Sequence, residues 1–88
     1  MVSSALAEDV ARQVRDIPDF PKKGILYKDI TPVLQDTPLF TWTTTAMAAP
    51  WALDGITHVV AIESRGFIFG APVAQHLAAS LVPVRKAG

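Results

Sequence analysis

Apolar residues recur at intervals of three and four near the start of the chain: Leu6, Val10, Val14 and Ile17, with Ala7 and Ala11 beside them. This period predicts an amphipathic helix over residues 4–16. Glu8 and Asp9 come early and Arg12 and Arg15 late, the order a helix dipole favours, and Pro18 closes the element. The pattern then breaks. Residues 17–34, "IPDFPKKGILYKDITPVL", carry three prolines and Gly24, which rule out a long regular element. A stiffened loop is expected there, with "GILYKDIT" as a possible short strand. Its density of aromatic and apolar residues points to a functional loop rather than a disordered one.

A second helix is expected to start with Thr37 as N-cap and Pro38 at the first helical position. Four threonines weaken it, and Pro50 kinks or ends it. Asp54-Gly55 marks a turn. "ITHVVAIE", residues 56–63, has too little polar alternation for a half-exposed strand and is expected to be buried on both faces. "SRG" reads as a turn and "FIFGAPVAQHLAAS" as a helix, with Gly70 and Pro72 confining its regular part to the C-terminal half. "LVPVRK", residues 81–86, reads as a second strand. Strand, helix and strand within about 30 residues make a βαβ unit and imply a parallel sheet.

Composition narrows the function. Eighty-eight residues suffice for one small domain, and half of them are apolar. That is rich for so short a chain and suggests surface meant for another segment or subunit. The formal net charge is zero, so no global field draws in nucleic acid or an anionic membrane, and neither is expected as a partner. There is no cysteine, hence no disulfide framework, which fits a reducing compartment. Neither a targeting signal nor a span of about 18 uncharged apolar residues appears, so the expected location is the cytoplasm.

The candidate chemistry sits at the strand-to-helix junction "ESRG". In an open parallel sheet, ligands collect at the C-terminal strand ends, where loops enter helix N-termini. The helix start offers backbone N–H groups and its dipole. Ser64 adds a hydroxyl, Arg65 a planar fork of donors suited to phosphate, and Gly66 room for close approach. Together they suggest a phosphate or pyrophosphate cradle. The alternative is that Arg65 pairs with Glu63 or caps a neighbouring helix while Gly66 only eases the turn. Arg85 and Lys86 end the second strand, so two strands finish in cations, which favours the anion site. His58 and His76 have no companions at metal-ligand spacing. Ser64 has no nucleophile-elbow setting, and Glu63 is a single carboxylate, weak ground for acid–base work.

"RDIPDFPKKGILYKDITPVLQD", "VVAIESRGFIFGAPVA" and "VPVRKAG" together resemble the N-terminal half of the adenine phosphoribosyltransferase family. The three motifs stand in the family's order over nearly all of residues 12–88. The resemblance implies an α/β, partial Rossmann-like type I phosphoribosyltransferase fold with a parallel sheet, an N-terminal helix and a hood loop. It implies one incomplete domain over residues 1–88, with the helix and adenine hood in 1–34 and the first half of the core in 35–88. The implied reaction belongs to purine salvage: phosphoribosyl pyrophosphate and adenine give AMP and pyrophosphate. Mg²⁺ would arrive with phosphoribosyl pyrophosphate, and no residue of this chain is expected to ligate metal.

By resemblance, Tyr27 stacks on adenine while backbone groups of Leu26 and Lys28 read its edge. Glu63, Ser64, Arg65 and Gly66 form the pyrophosphate loop, with a cis peptide bond between Glu63 and Ser64. Arg65 and Arg85 act on the leaving pyrophosphate, Arg85 from the neighbouring subunit of a homodimer, and Lys86 lies in the same loop. The family's acidic pair followed by Thr-Gly-Gly-Thr, which binds ribose hydroxyls and the 5′-phosphate, does not occur in these 88 residues. The chain by itself is therefore expected to be inactive; the alternative is a purine- or pyrophosphate-binding or subunit-association fragment. Ala87-Gly88 replaces the family's Pro-Gly-Lys, and Pro50 falls where a regular helix is expected.

Overall fold

The computed structural model describes residues 4–87; Met1–Ser3 and Gly88, which the expected 1–88 domain includes, lie outside them. The described residues form two compact units that divide between Thr43 and Thr44. The division falls inside a helix. The first turns of that helix belong with the N-terminal one: Leu39 and Trp42 line a groove with Asp9, Arg12 and Gln13.

In the first unit, α1 (Ser4–Gln13) is followed by β1 (Arg15–Pro18), β2 (Leu26–Asp29), α2 (Thr31–Gln35) and the start of α3 (Thr37–Ala48). The helix expected over 4–16 stops at Gln13, because Arg15–Pro18 pairs antiparallel with Leu26–Asp29 instead. The register sets Arg15 opposite Asp29 and Asp16 opposite Lys28, two opposite-charge pairs that favour this alignment. Ile17 thus joins β1, not the helical stripe. What reads as a long loop is a hairpin. At its tip Gly24, at φ 88°, donates its N–H to Asp19 Oδ1 at 2.8 Å, a backbone conformation that suits glycine.

Asp36, not Thr37, caps α3: its Oδ1 accepts the Leu39 N–H at 3.1 Å and its carbonyl the Phe40 N–H at 2.8 Å. Pro38 is therefore the second helical residue, where its missing N–H costs nothing. The threonines do not break α3. Thr43 turns its hydroxyl back onto the Leu39 carbonyl at 2.7 Å, a bond that a threonine inside a helix can make to the preceding turn. Pro50 lies in a single 3-10 turn, Ala49–Trp51, at the helix end.

The second unit holds β3 (His58–Ile62), α4 (Arg65–His76) and β4 (Ser80–Val84), the expected strand–helix–strand, with the strands parallel and Ala61 opposite Pro83. The strand expected over 81–86 spans 80–84, so Arg85 and Lys86 lie just beyond it. α4 is regular from Arg65 and does not wait for its C-terminal half, so Gly70 and Pro72 are accommodated inside it. Pro72 removes one helical bond. Gly70 has a packing reason, because a Cβ there would lie 2.6 Å from the Ala61 Cβ. The helix approaches β3 at that point more closely than a larger residue allows.

Gly70→Ala is expected to destabilise the complete protein by about 1–2 kcal/mol in urea unfolding. Overpacking costs about 1–3 kcal/mol, of which improved helix propensity returns a part. Gly66→Ala, whose Cβ would meet only ordinary contacts from 3.6 Å outward, is expected to unfold at the wild-type midpoint. Equal midpoints for the two variants would refute the close approach.

β3 is not buried on both faces. Ala61 is buried under α4, but Val60 and Ile62 are 62% and 56% exposed. Glu63 donates its N–H to the Val84 carbonyl and Ser80 to that of Thr57, so alternate residues of β3 bond toward β4. Val60 and Ile62 direct their backbone groups to the opposite edge, where the two-stranded sheet ends among the described residues. Part of the apolar surplus of the composition is displayed on this sheet, where Leu81, Val82 and Val84 are also exposed; Trp42, Trp51 and Leu53 are exposed elsewhere.

Candidate functional site

Each unit gathers part of the expected chemistry. In the hairpin, Pro18 faces Leu26. Proline has no N–H, so this pair takes a non-hydrogen-bonded position in the ladder. Alternation then gives the same position to Asp16 and Lys28, while Ile17 and Tyr27 exchange backbone bonds. The N–H and C=O groups of Leu26 and Lys28 consequently point to the outer edge of β2, where the sheet ends. Leu26 and Lys28 are exposed and Tyr27 is half-buried. Phe20 holds the Tyr27 ring edge to face, with centroids 5.3 Å apart and planes at 70°. The Lys28 ammonium bonds Asp16 Oδ1 at 2.6 Å, so its side chain turns back across the hairpin.

Asp29, buried at the end of β2, is an anchor that composition does not single out. Its Oδ1 accepts the Thr31 N–H at 3.0 Å and its Oδ2 is bonded by Arg15. Bonds from Thr31 do most to hold its pKa down to about 2 from 3.8; burial opposes them, and the Arg15 guanidinium adds a further lowering. A carboxylate whose folded pKa is depressed stabilises the fold above its unfolded pKa and stops doing so as pH falls through the folded one. The contribution is complete above about pH 4 and is lost toward pH 2. Carboxyl NMR of the complete protein should show Asp29 titrating near pH 2, and Asp29→Asn should remove that part of the acid dependence. A midpoint near 4 would overturn this reading. The signal was present in the sequence as the complementary pairs "RD" and "KD" read in antiparallel order.

In the second unit, Glu63 and Ser64 make the turn out of β3, and Arg65 and Gly66 are the first residues of α4. The peptide bond between Glu63 and Ser64 is cis. Ser64 is the N-cap, yet its hydroxyl makes no capping bond, and its carbonyl accepts the Phe67 N–H at 3.2 Å. Ser64 and Arg65 are exposed, and Gly66 is half-buried.

The parallel pairing brings the end of β4 beside this turn. The Glu63 carboxylate accepts a hydrogen bond from the backbone N–H of Lys86, and Arg85 and Lys86 are exposed next to it. The structure therefore assembles Glu63, Ser64, Arg65, Gly66, Arg85 and Lys86 at one end of the sheet. Leu26, Tyr27 and Lys28 form the separate hairpin edge. A cavity of about 510 Å³ lies along the open edge of β3, between Ile62, Met47 and Phe69. Apart from Arg65 its walls are apolar, which suits side chains rather than an anion. Among the described residues no three His, Cys, Asp or Glu side chains come together as metal ligands, and no helix is long and apolar enough to cross a membrane.

No protein-family model matches the chain. The chain is 49% identical over all 88 residues to adenine phosphoribosyltransferase of Myxococcus xanthus, covering 48% of that protein. Among solved structures, adenine phosphoribosyltransferase of Rhodothermus marinus matches 98% of the chain with 49% of its own, at a TM-score of 0.89 and 46% identity. The Saccharomyces cerevisiae adenine phosphoribosyltransferase, solved with adenine and an imino-altritol bisphosphate, matches at a TM-score of 0.88 and 33% identity, with 53% of its chain. The chain thus spans about half the length of the relatives it matches. The α/β arrangement with a parallel sheet is that of these enzymes over the shared half, and the resemblance read from the motifs extends over the whole chain.

Proposed function

We propose that these 88 residues are the base- and pyrophosphate-handling half of an adenine phosphoribosyltransferase, a purine-salvage enzyme that converts adenine and phosphoribosyl pyrophosphate to AMP and pyrophosphate. The observation that carries the reading is the likeness, over the whole chain, to the yeast enzyme whose structure holds adenine. The hairpin edge supports it chemically. Leu26 and Lys28 offer main-chain donors and acceptors, which match an uncharged base without adding charge, and the Tyr27 ring supplies a stacking surface.

In the reaction the C1′–oxygen bond to pyrophosphate breaks with its electron pair leaving on pyrophosphate, the C1′–N9 bond forms, and the N9 proton passes to the pyrophosphate or to water. Positive charge grows on the ribose and negative charge on the departing pyrophosphate. Arg65, the Ser64 hydroxyl and the N–H groups at the start of α4 meet that negative charge, and Arg85 and Lys86 add to it. Arg85 serves the neighbouring subunit of a homodimer. Tyr27, Leu26 and Lys28 orient N9 toward C1′. Magnesium would arrive with the phosphoribosyl pyrophosphate and would offset the charge of its pyrophosphate; the Glu63 carboxylate is bonded to the Lys86 N–H. The enzyme works in the cytoplasm.

The test is product formation. The complete protein, given adenine, phosphoribosyl pyrophosphate and Mg²⁺, is expected to release AMP and pyrophosphate in equal amounts, and hypoxanthine is not expected to replace adenine. Residues 1–88 alone are expected to give no AMP. They contain no Thr-Gly-Gly-Thr run to hold the 5′-phosphate, and backbone cradling of that kind is not replaced by one arginine. A folded complete protein that makes no AMP would refute the reading.

A further inference from the structure

We infer that Glu63 is a positioning residue, a latch that holds the loop bearing Arg85 and Lys86 against the loop bearing Ser64 and Arg65. The inference rests on the reading of this strand end as a pyrophosphate site. A carboxylate among groups assembled for an anion repels that anion, so a glutamate at this place calls for a structural task that outweighs the repulsion. Glu63 has one. Its N–H donates to the Val84 carbonyl at 3.0 Å, and its carboxylate accepts the N–H of Lys86. The residue is bonded on both sides of Arg85, once before it and once after, so Arg85 lies in a segment pinned at each end.

The physical need for such a latch is visible in the surroundings. β4 ends at Val84, and Arg85, Lys86 and Ala87 beyond it are exposed. Cations on a mobile loop lose conformational freedom when they close on an anion, and that loss is subtracted from affinity. A bond from a charged acceptor fixes the backbone beforehand. Glu63 therefore acts on pyrophosphate through Lys86 and Arg85, without touching it.

The experiment compares Glu63→Ala with Glu63→Gln in the complete protein. Gln keeps an Oε1 acceptor and discards the charge. Glu63→Ala is expected to raise KM for phosphoribosyl pyrophosphate about tenfold or more, with KM for adenine unchanged. Glu63→Gln is expected to stay within about threefold of wild type, since a neutral acceptor retains most of the bond. Hydrogen exchange at the Lys86 amide reads the latch without any turnover: protected in wild type and Glu63→Gln, and fast in Glu63→Ala. Gln as damaging as Ala would mean that the charge, and not the latch, matters, and would overturn the proposal. So would a Lys86 amide that exchanges equally fast in all three proteins. If wild type makes no AMP while its Lys86 amide is protected, the enzymatic reading fails and the latch survives as a structural link only. Should Glu63→Ala not fold, the Gln variant and the wild-type exchange rate still decide.

Discussion

Replacing Arg65 by alanine in the complete protein is expected to lower kcat/KM for AMP formation by about 10²–10³-fold, the loss typical of removing one preorganised donor from a developing anion. The side chain leaves from the first residue of α4 and is exposed, so its removal should hardly move the unfolding midpoint. The defect should appear with phosphoribosyl pyrophosphate and leave adenine affinity alone. Arg65→Lys should recover only part of the loss, because an ammonium retains the charge but not the planar fork that grips two oxygens. Steady-state kinetics with each substrate varied in turn provide the check. A loss below about fivefold would show that the pyrophosphate is held by backbone N–H groups and Arg85, and would remove Arg65 from its proposed role.

The second large effect concerns the other substrate. Tyr27→Ala is expected to raise KM for adenine by about 10- to 100-fold, since stacking of a base on an aromatic ring contributes about 1–3 kcal/mol. Tyr27→Phe should remain within about twofold, because the ring and its edge-to-face contact with Phe20 are what matter. KM for phosphoribosyl pyrophosphate should not change in either variant. An alanine variant with normal adenine KM would leave base recognition to the main chain of Leu26 and Lys28. An equal rise for both substrates would show that Tyr27 shapes the fold and not the base site.

The two sites differed in how much the sequence disclosed. Residues 63–66 are contiguous, and a strand end, a glycine, a hydroxyl and an arginine at one turn advertise anion chemistry by themselves. The hairpin is different. Pro18 argues against a strand, and the helical period of Leu6, Val10 and Val14 extends falsely to Ile17. Only pairing with Leu26–Asp29 makes residues 15–18 a strand, and that partner begins eight residues after the strand ends. Asp29 reads as one acid among eight until Arg15 and Thr31 are seen to bond it.

The sequence by itself determined the elements whose causes are local: the βαβ unit from periodicity, the turn at Asp54-Gly55, and the donors gathered in "ESRG". Its motifs also carried the likeness to adenine phosphoribosyltransferases. Tertiary structure decided whatever depends on a distant partner. It determined that Val60 and Ile62 stay open, that Gly70 must be small to meet Ala61, and that Glu63 spends its carboxylate on Lys86. The physical reason is common to all three. Propensity and periodicity act over a few residues along the chain, whereas burial, close approach and the partner of a charge are set by segments that only folding brings together.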